Sequence, residues 1–488
     1  MTICVLRDRP LRLFAVLCGG AGVGLLLGAA ASPSVAAAPV RTAVVTGARA
    51  AASGGSWGPA KEVAAALNTG GTAGLNSVSC ASAGNCGAGG FYTDGSGNLQ
   101  AFAVSEVNGT WRPAIEVAAS LNTLGVAAIN SMSCASAGNC SAGGYYSNSR
   151  LQAAFVVNET NGTWGMAKEV AAALNAGRSA RVESVSCASA GNCGAGGYYT
   201  DGSGRKQAFA VNEANGTWGP ATEVAAALNT RADAAINSVS CPAAGNCNAG
   251  GYYNNTRNGM HGHSQAFVVS ETNGTWHPAI EVAAALNTLR VGAVNSVSCP
   301  AAGNCGAGGY YTDSSARQEA FAVDEANGTW RPAIEVAAAL NTGGDAAVNS
   351  VSCPAAGKCS AGGNYTPSSG AQAFAVNEAN GTWRSATEVA GALNTGGFAW
   401  LYSVSCPAAG NCGAGGFYTD NTVPRHQQAF AVNEASGTWG PAIEVAAALN
   451  TGGDAAINSV SCTAAGYCGA GGFYTGSSGQ QAFAVSKP

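Results

Sequence analysis

The sequence predicts an all-β fold: an eight-bladed β-propeller of four-stranded blades, with the ring closed by an N-terminal outer strand. Two observations predict this fold: a unit of 53–58 residues occurs eight times, and each unit contains four strand-like segments. A third observation is that the first copy starts, and the last copy ends, part-way through the four segments. Repeats of this length are typical of solenoids and propellers rather than of separate domains.

The spacing inside the unit is nearly constant. Each copy starts with a tryptophan: Trp57, Trp111, Trp164, Trp218, Trp276, Trp330, Trp383 and Trp439. The distance from this Trp to the next Cys is always 23 positions, from that Cys to the second always 6, and from the Phe to the next Trp always 9. Only the stretch from the second Cys to the Phe varies, from 15 to 20 positions. One loop per unit therefore takes up every insertion.

Four segments of each unit have strand character. The first is Ser-Val-Ser-Cys, the second Cys-x-Ala-Gly-Gly-Tyr-Tyr, the third Gln-Ala-Phe-Ala-Val-Asn-Glu, and the fourth runs from Thr-Trp through Glu-Val. Asn-Gly joins the third and fourth segments at six of seven junctions, and Ser436-Gly437 at the other. Asn-Gly is the strongest short hairpin signal, so these two strands are antiparallel neighbours. The Ala-Ala-Ala-Leu that follows could be strand or a short helical turn.

The two ends of the repeat array predict how the ring closes. The first copy starts with outer-strand sequence, residues 57–67, and the last ends with third-strand sequence, residues 481–485. Pairing the two would complete the last blade and remove the gap in the ring. The alternative architecture is an open β-array, which needs no such pairing.

The N-terminus has the features of an export signal. Arg7, Arg9 and Arg12 precede an apolar stretch and then small residues, as in a secretory signal peptide. We therefore predict a signal peptide at residues 1–36, a disordered Ala/Gly/Ser lead-in at 37–56 and the propeller at 57–488. An uncleaved anchor is the alternative. No later apolar run reaches the ~20 residues of a membrane span, so none is expected after cleavage.

The cysteines predict the compartment. Two of the 18 lie in the predicted signal, and the rest form eight Cys-x5-Cys pairs that flank the turn between first and second strands. These pairs are Cys80/Cys86, Cys134/Cys140, Cys187/Cys193, Cys241/Cys247, Cys299/Cys305, Cys353/Cys359, Cys406/Cys412 and Cys462/Cys468. Export favours oxidation, so we predict one disulfide per blade and a secreted, extracellular protein. Metal binding is the weaker alternative, because zinc prefers four ligands and no His keeps step with the pairs.

Symmetry directs the search for a site. Repeated acids, one per outer strand and one per third strand, are expected to be structural, because a unique site must use residues that break the repeat. Most copies enter the first strand through Asn, but blade 3 has Glu183 and blade 7 has Tyr402. Blade 7 also carries Phe398 and Trp400 where other copies have smaller residues. These residues lie toward the face that carries the variable loops and the blade-to-blade loops, here called the top face. Together with Arg181 they form the predicted binding set; packing of drifted residues against a neighbouring loop is the alternative.

Other chemistry has weaker signals. His261 and His263 in the longest variable loop are included in the candidate set, but no third metal ligand is evident. Asp94-Gly-Ser-Gly-Asn98 resembles half a calcium loop without the distal carboxylate. The four histidines lie outside the repeat frame and suggest no triad, whereas a glycosidase would need only two carboxylates, with Glu183 the one candidate at the channel. No catalytic residue, metal or cofactor is therefore predicted.

Several motifs resemble known propeller repeats. Ala-Gly-Gly-Tyr with a later Trp resembles a kelch blade, and Glu-x-Asn-Gly-Thr-Trp resembles a degenerate Asp-box hairpin. The Ser-Cys-x5-Cys-x-Ala-Gly-Gly pattern resembles repeats of uncharacterised secreted actinobacterial proteins. The resemblance covers residues 57–488 and implies the fold but no activity.

These observations lead to a functional prediction. The formal net charge of −4 lacks the basic excess that nucleic-acid binding requires. We predict a secreted, non-catalytic, monomeric binding or scaffolding protein whose top face contacts a polysaccharide or a protein. The alternatives are an extracellular carbohydrate-active hydrolase or lyase, and a purely structural repeat protein.

Overall fold

The protein is an eight-bladed β-propeller, as predicted. The computed structural model describes residues 56–148, 152–230, 233–254, 263–464 and 466–488. Within these ranges the chain forms strands and turns and no helix, and the strands make eight antiparallel sheets, one per blade. The predicted signal peptide and all of the lead-in except residue 56 lie outside the described residues.

Blades are numbered along the chain by their first strands. The first strands are Ala73–Ser82, Ala128–Ser136, Ala180–Ser189, Ala234–Ala243, Ala293–Ala301, Ala347–Ala355, Ala399–Ala408 and Ala456–Cys462. The second strands are Asn85–Thr93, Asn139–Ser147, Asn192–Thr200, Asn246–Asn254, Asn304–Thr312, Lys358–Tyr365, Asn411–Thr419 and Cys468–Gly476. The third strands are Leu99–Val107, Gln152–Thr160, Lys206–Ala214, Ser264–Thr272, Gln318–Ala326, Gln372–Ala379, Gln427–Ala435 and Gly479–Lys487.

The fourth strand is interrupted, which the sequence interpretation did not anticipate. In seven blades a two-residue piece starts it: Thr110–Trp111, Thr163–Trp164, Thr217–Trp218, Thr275–Trp276, Thr329–Trp330, Thr382–Trp383 and Thr438–Trp439. A second piece lies further along the third strand: Lys61–Glu62, Ile115–Val117, Lys168–Val170, Thr222–Glu223, Ile280–Glu281, Ile334–Val336, Thr387–Val389 and Ile443–Glu444. In blade 1 Pro113 lies between the pieces, and proline has no N–H to donate to the third strand.

Two kinds of turn recur in the blades: one follows the outer strand and the other joins the third and fourth strands. The Ala-rich segment after the outer strand is a short hydrogen-bonded turn rather than strand, since Leu121 N and Asn122 N both donate to Ala118 O, at 2.9 and 3.0 Å. The Asn-Gly hairpins have positive φ at both central residues, 50° at Asn108 and 77° at Gly109. Such a type I′ turn matches the right-handed twist of the flanking strands.

The N-terminal outer strand closes the ring. Lys61 and Glu62 pair with Ala484 and Phe483 on the third strand of blade 8. Gly58 N donates to Ser486 O at 2.9 Å, and the hydroxyl of Tyr474 donates to Glu62 at 3.0 Å. The last blade is therefore built from both ends of the described chain, and the open-array alternative is wrong.

Serine hydroxyls join the first strands into an inner wall. In every Ser-Val-Ser-Cys segment, and in the Ser-Met-Ser-Cys of blade 2, both hydroxyls accept a backbone N–H from the next blade, at 2.8–3.0 Å. The bonds run around the whole ring, and Ser459 and Ser461 of blade 8 accept from Val78 and Cys80 of blade 1. Sequence analysis assigned these serines to a strand but missed this role, because it depends on how neighbouring blades are aligned.

The hydrophobic core lies between blades. Each of eight buried clusters combines the third strand of one blade with the first three strands of the next, and the fully buried third-strand Phe is at the centre of its blade. The glycines of the second strand permit this close approach. A Cβ at Gly90 would lie 2.0 Å from Gly74 O, and one at Gly87 would lie 2.7 Å from Cys134 Sγ of the next blade.

All eight predicted disulfides are formed, each within its own blade, which confirms the pairing. In blade 1, Cys80 and Cys86 lie directly opposite each other on the first and second strands. The links of blades 2–8 are Cys134–Cys140, Cys187–Cys193, Cys241–Cys247, Cys299–Cys305, Cys353–Cys359, Cys406–Cys412 and Cys462–Cys468. Eight disulfides are typical of proteins from an oxidising, extracellular environment.

The disulfides are more buried than their predicted position beside a turn suggests. The second cysteine of every pair is only 3–5% exposed: Cys86, Cys140, Cys193, Cys247, Cys305, Cys359, Cys412 and Cys468. The cause is packing between blades, because each link faces the second strand of the preceding blade. A Cβ at Gly194 would lie 2.7 and 2.9 Å from the sulfurs of Cys241 and Cys247, and Cys193 Sγ lies 3.3 Å from the hydroxyl of Ser141. These cysteines are therefore core residues of the blade interfaces and are not part of an accessible site, which the sequence interpretation did not predict.

Candidate functional site

The top face is built as expected. The loop between second and third strands and the loop between blades hydrogen-bond to each other, for example Leu99 N to Gly125 O at 2.8 Å. The asparagine of each Leu-Asn-Thr segment holds this junction: the side-chain amide of Asn122 donates to Leu99 O and to Gln100, at 3.1 and 2.7 Å. In the part of the chain that the structure describes, the bases of the variable loops are therefore tied to the blade-to-blade loops at one face.

The first-strand asparagine that blades 3 and 7 replace lies at a β-bulge. The register between first and second strands shifts at this residue in all eight blades. A bulge redirects its side chain, and here the amide donates to a backbone carbonyl of the next blade, as Asn76 does to Ile129 O at 2.7 Å. Six asparagines make this bond: Asn76, Asn130, Asn237, Asn295, Asn349 and Asn458.

Blades 3 and 7 replace this interblade bond with other chemistry. Glu183 and Tyr402 occupy the bulge, and the amide of Asn130 reaches the Glu183 carboxylate at 3.2 Å. Arg181 and Trp400 lie two residues earlier, also at matching positions, where the other six blades have only Gly or Ala. Both departures therefore recur in the same two blades, which lie four positions apart in a ring of eight. We call these four residues the channel-mouth set.

The blade 7 half of the set is an aromatic cluster. Trp400 lies directly across from Phe417 on the second strand. The ring centroids of Trp400, Tyr402 and Phe417 are 5.5–6.2 Å apart, and the Trp400 and Tyr402 rings meet edge to face at 88°. Trp400 and Tyr402 are half-buried, so they are less open than the sequence analysis expected. Phe398 is 50% exposed and Val423, in the variable loop of the same blade, is 98% exposed.

The blade 3 half, Arg181 and Glu183, carries both signs of charge and lies beside tyrosine hydroxyls. The Arg181 guanidinium lies 4.3 Å from the centroid of the Tyr145 ring and donates to Gln152 at 3.0 Å. Lys206 Nζ lies 4.5 Å from the centroid of Tyr198. Burial, and then the nearby charges of Asp233 and its tyrosine neighbours, raise the pKa of Tyr252 above its ordinary value. Its hydroxyl therefore stays protonated and available as a hydrogen-bond donor.

One second-strand position differs between the two sides of the ring. Around the ring it holds Phe91, Tyr145, Tyr198, Tyr252, Tyr310, Asn364, Phe417 and Phe473. Hydroxyl-bearing rings therefore occupy blades 2–5, and rings without hydroxyls occupy blades 7, 8 and 1. The top end of the ring has a polar side around Arg181 and Glu183 and an apolar side around Trp400 and Tyr402.

The structure describes one histidine of the predicted pair. His261 lies outside the described residues, and His263 Nδ1 lies 3.3 Å from the backbone oxygen of Leu289. Among the described residues, two groups of side chains come close enough for a metal, Cys406/Cys412/Glu434 and Asp324/Cys359/Glu378, but every Cys in them is held in a disulfide. No thiolate is available in either group.

In the calcium-like segment the aspartate carboxylate accepts hydrogen bonds from its own turn and from the strand that follows. The Asp94 carboxylate accepts from the backbone N–H groups of Ser96 and Asn98 and from the side-chain amide groups of Asn98 and Gln100. These bonds, that of Gln100 first, hold the pKa of Asp94 below its ordinary value. Its oxygens face donors, which is the environment of a turn-stabilising aspartate.

The repeated acids have the same partners in blade after blade, as their structural interpretation requires. Six outer-strand glutamates accept a bond from the tyrosine three positions after the Ala-Gly of the second strand, at 2.6–3.0 Å: Glu62, Glu116, Glu223, Glu281, Glu388 and Glu444. The third-strand glutamates are buried and face the preceding blade. Glu213, for example, accepts from the amide of Asn158, whose oxygen accepts from Trp218 Nε1 at 3.1 Å.

Comparisons with known proteins find similarity among solved structures alone. No protein-family model and no curated protein matches the sequence. Among solved structures, the chain is similar to the Dos1 propeller, with 9% identity over 87% of this chain and 95% of that chain and a TM-score of 0.48. It is also similar to Sqt1 from Chaetomium thermophilum bound to the N-terminus of ribosomal protein L10, with 10% identity over 86% and 98% and a TM-score of 0.46. An ulvan lyase of a polysaccharide lyase family has 8% identity over 71% and 89% and a TM-score of 0.39.

These similarities concern the propeller fold alone. Within the described residues there is also no helix long and apolar enough to cross a membrane.

Proposed function

We propose that this protein is a secreted, non-catalytic binding protein whose top face holds a partner at blade 7. The observation that carries the proposal is the Trp400–Tyr402–Phe417 cluster, flanked by the exposed Phe398 and Val423. Seven other blades present equivalent backbone without this apolar group, so the feature is unique to one place in the ring. Rigid aromatic side chains are the residues that most often anchor protein interfaces.

The exposed side chains favour a protein over a polysaccharide as the partner. Half of the large exposed apolar residues lie on the top face, and four of those five are aliphatic: Leu124, Val126, Leu289, Phe398 and Val423. Aliphatic side chains offer no flat face for a sugar ring, but they pack well against apolar protein side chains. A polysaccharide remains the second candidate partner, supported by the tyrosine hydroxyls and Arg181 on the opposite side.

Secretion and repeat type belong to the same proposal. Residues 1–36 have the features of a signal peptide, and eight disulfides suit an oxidising exterior. The Ser-Cys-x5-Cys-x-Ala-Gly-Gly pattern supports a relation to the repeats of secreted actinobacterial proteins, and the other motifs support a kelch-like or Asp-box-like blade.

The repeat itself supplies the variant that tests the proposal. Trp400→Ala combined with Tyr402→Asn gives blade 7 the residues that blade 8 has at Ala456 and Asn458. The new amide can donate to the next blade as Asn458 does to Leu75 O at 2.8 Å, so the fold should be retained. We expect partner binding to weaken by about 10- to 100-fold, as for loss of an aromatic anchor. Capture from secreted proteins and binding to a glycan microarray, both before and after substitution, would measure this.

Two control variants complete the experiment. Glu223→Ala removes an acceptor that is repeated in other blades and bonded to Tyr199 at 2.8 Å, so it should lower the melting temperature and leave binding intact. Arg181→Ala with Glu183→Asn gives blade 3 the residues that most other blades have. Its effect on binding measures how much the polar side of the ring contributes to partner binding. Unchanged binding in the blade 7 variant with a normal melting temperature would contradict the proposed site. Loss of glycan binding alone would instead identify the polysaccharide as the partner.

A further inference from the structure

One interface between blades has a carboxyl group at a position where the other blades have a neutral side chain. The residue just before the third-strand glutamate, or before Lys487 in blade 8, is Ser105, Asn158, Asn212, Ser270, Asn377, Asn433 and Ser486 in seven blades, but Asp324 in blade 5. Five of these neutral side chains donate to the buried glutamate of the next blade, as Asn377 does to Glu434 at 2.5 Å and Ser105 to Glu159 at 2.6 Å. The hydroxyl of Ser270 instead donates to Asn248 of its own blade. Between blades 5 and 6 the glutamate, Glu378, instead faces Asp324.

The other contacts of this pair leave one carboxyl oxygen, Glu378 Oε1, without a hydrogen-bond donor among the described residues. Trp383 Nε1 donates to the two oxygens of Asp324 at 3.2 and 3.1 Å, and Cys359 N donates to Glu378 Oε2 at 3.1 Å. Glu378 is only 6% exposed, and its Oε1 has no donor from any described group. A carboxyl oxygen of Asp324 and one of Glu378 lie within 4.8 Å of each other, so the two groups are neighbours that a hydrogen bond can join. Two ionised carboxylates cannot make that bond, because neither carries a hydrogen.

We propose that Asp324 and Glu378 share one proton across the interface between blades 5 and 6 and form a pH-dependent latch in the ring. In the acidic state, the Glu378 hydroxyl donates to the Asp324 carboxylate and the interface is made as in the other blades. In the alkaline state both groups are charged, the bond is lost and the two carboxylates repel each other.

The surrounding charges fit this assignment. Burial, followed by the neighbouring Asp324 charge, raises the pKa of Glu378 to about 7, and burial also raises that of Asp324. Arg331 is the nearby cation and opposes both shifts. Arg331 and Glu325 also line a cavity of about 290 Å³ beside the pair, through which solvent can exchange the proton. Lys358, next to Cys359, is exposed.

The sign of the pH effect follows from these shifts. A carboxyl group whose pKa is higher in the folded state binds more protons when folded, so its contribution to stability is lost as the pH rises. For Glu378 the loss spans the window from its ordinary 4.5 to about 7. A divalent cation between the carboxylates is disfavoured, because Cys359 is in a disulfide and calcium takes 6–8 oxygen ligands.

The test compares melting temperatures of the full chain from pH 4.5 to 8. Asp324→Asn restores the residue of blades 2, 3, 6 and 7, and its amide can donate at any pH. We expect wild type to lose roughly 2–4 °C more than this variant between pH 5 and pH 8. Asn212→Asp is the matched gain of function, since Asn212 donates to buried Glu271 and accepts from Trp276 Nε1 at 3.2 Å. It should add a further pH-dependent loss.

Two outcomes would overturn the latch. One is an equal pH dependence in wild type and Asp324→Asn, with both proteins folded by circular dichroism. The other is a melting temperature that calcium chloride raises at pH 8 in wild type but not in Asp324→Asn, which would mean that the pair holds a metal ion. Failure of the blade 7 variant to affect partner binding would leave this result untouched, because the latch rests on a different interface.

Discussion

Deletion of residues 57–67 is expected to open the ring and cause the protein to aggregate. The deletion removes the strand that pairs with the third strand of blade 8, together with Trp57, which is buried in the cluster between blades 7 and 8. Loss of a buried Trp alone costs about 3–5 kcal/mol. The edge of Gly479–Lys487 would also be left unpaired, and such edges pair with other molecules. Size-exclusion chromatography and thermal denaturation would measure both effects.

The repeat provides a rescue for this truncation. Lys487 and Pro488 take the places that Glu213 and Ala214 have in blade 3, where Asn-Gly-Thr leads into the outer strand. Adding Asn-Gly-Thr and then residues 57–67 after Pro488 should therefore restore a blade of the common kind. We expect the rescued chain to be monomeric and close to wild type in stability. A truncated protein that stayed monomeric with an unchanged melting temperature would contradict ring closure.

Much of the fold could be predicted because each local signal occurs many times. The Asn-Gly turns, the constant Cys spacing and the partial first and last copies each predict a contact within one blade or across one known junction. The serine ring and the buried Asn122 could not be predicted in the same way. Their side chains bond to residues of another blade or loop, and that geometry depends on the bulge and on the blade alignment. The sequence predicts one continuous outer strand from Thr-Trp to Glu-Val, whereas in blade 1 Pro113, which has no N–H to donate, lies between its two pieces.

The candidate site was found by looking for breaks in the repeat, and the same rule explains what was missed. Glu183 and Tyr402 stand out because they replace asparagine. Phe417 does not stand out, because an aromatic residue at that position is common, and only its ring contacts connect it to Trp400. Asp324 does break a pattern of Asn and Ser, but it lies on a third strand, away from the variable loops on which the search concentrated. Comparing all eight copies position by position would have found it.

Complete reduction of the disulfides is expected to have the other large effect. Each closes a short loop at the turn between first and second strands, which is worth on the order of 2 kcal/mol in the chain-entropy model. Eight such links act on the strands that form the inner wall. The sulfur of Cys134 also packs against Gly87 of the preceding blade, so an alkylated thiol would not fit there. We expect a fall in melting temperature of roughly 10 °C or more after reduction and alkylation.

The same experiment tests how the links are paired. Before reduction, mass spectrometry of the mature protein should find no alkylated cysteine, and every disulfide-linked peptide should join two cysteines of one blade. Cys299→Ala with Cys305→Ala removes one link while leaving seven, and should lower the melting temperature by only a fraction of the full effect. Free thiols before reduction, links between blades, or an unchanged melting temperature after complete alkylation would each contradict the view that these eight links stabilise the ring blade by blade.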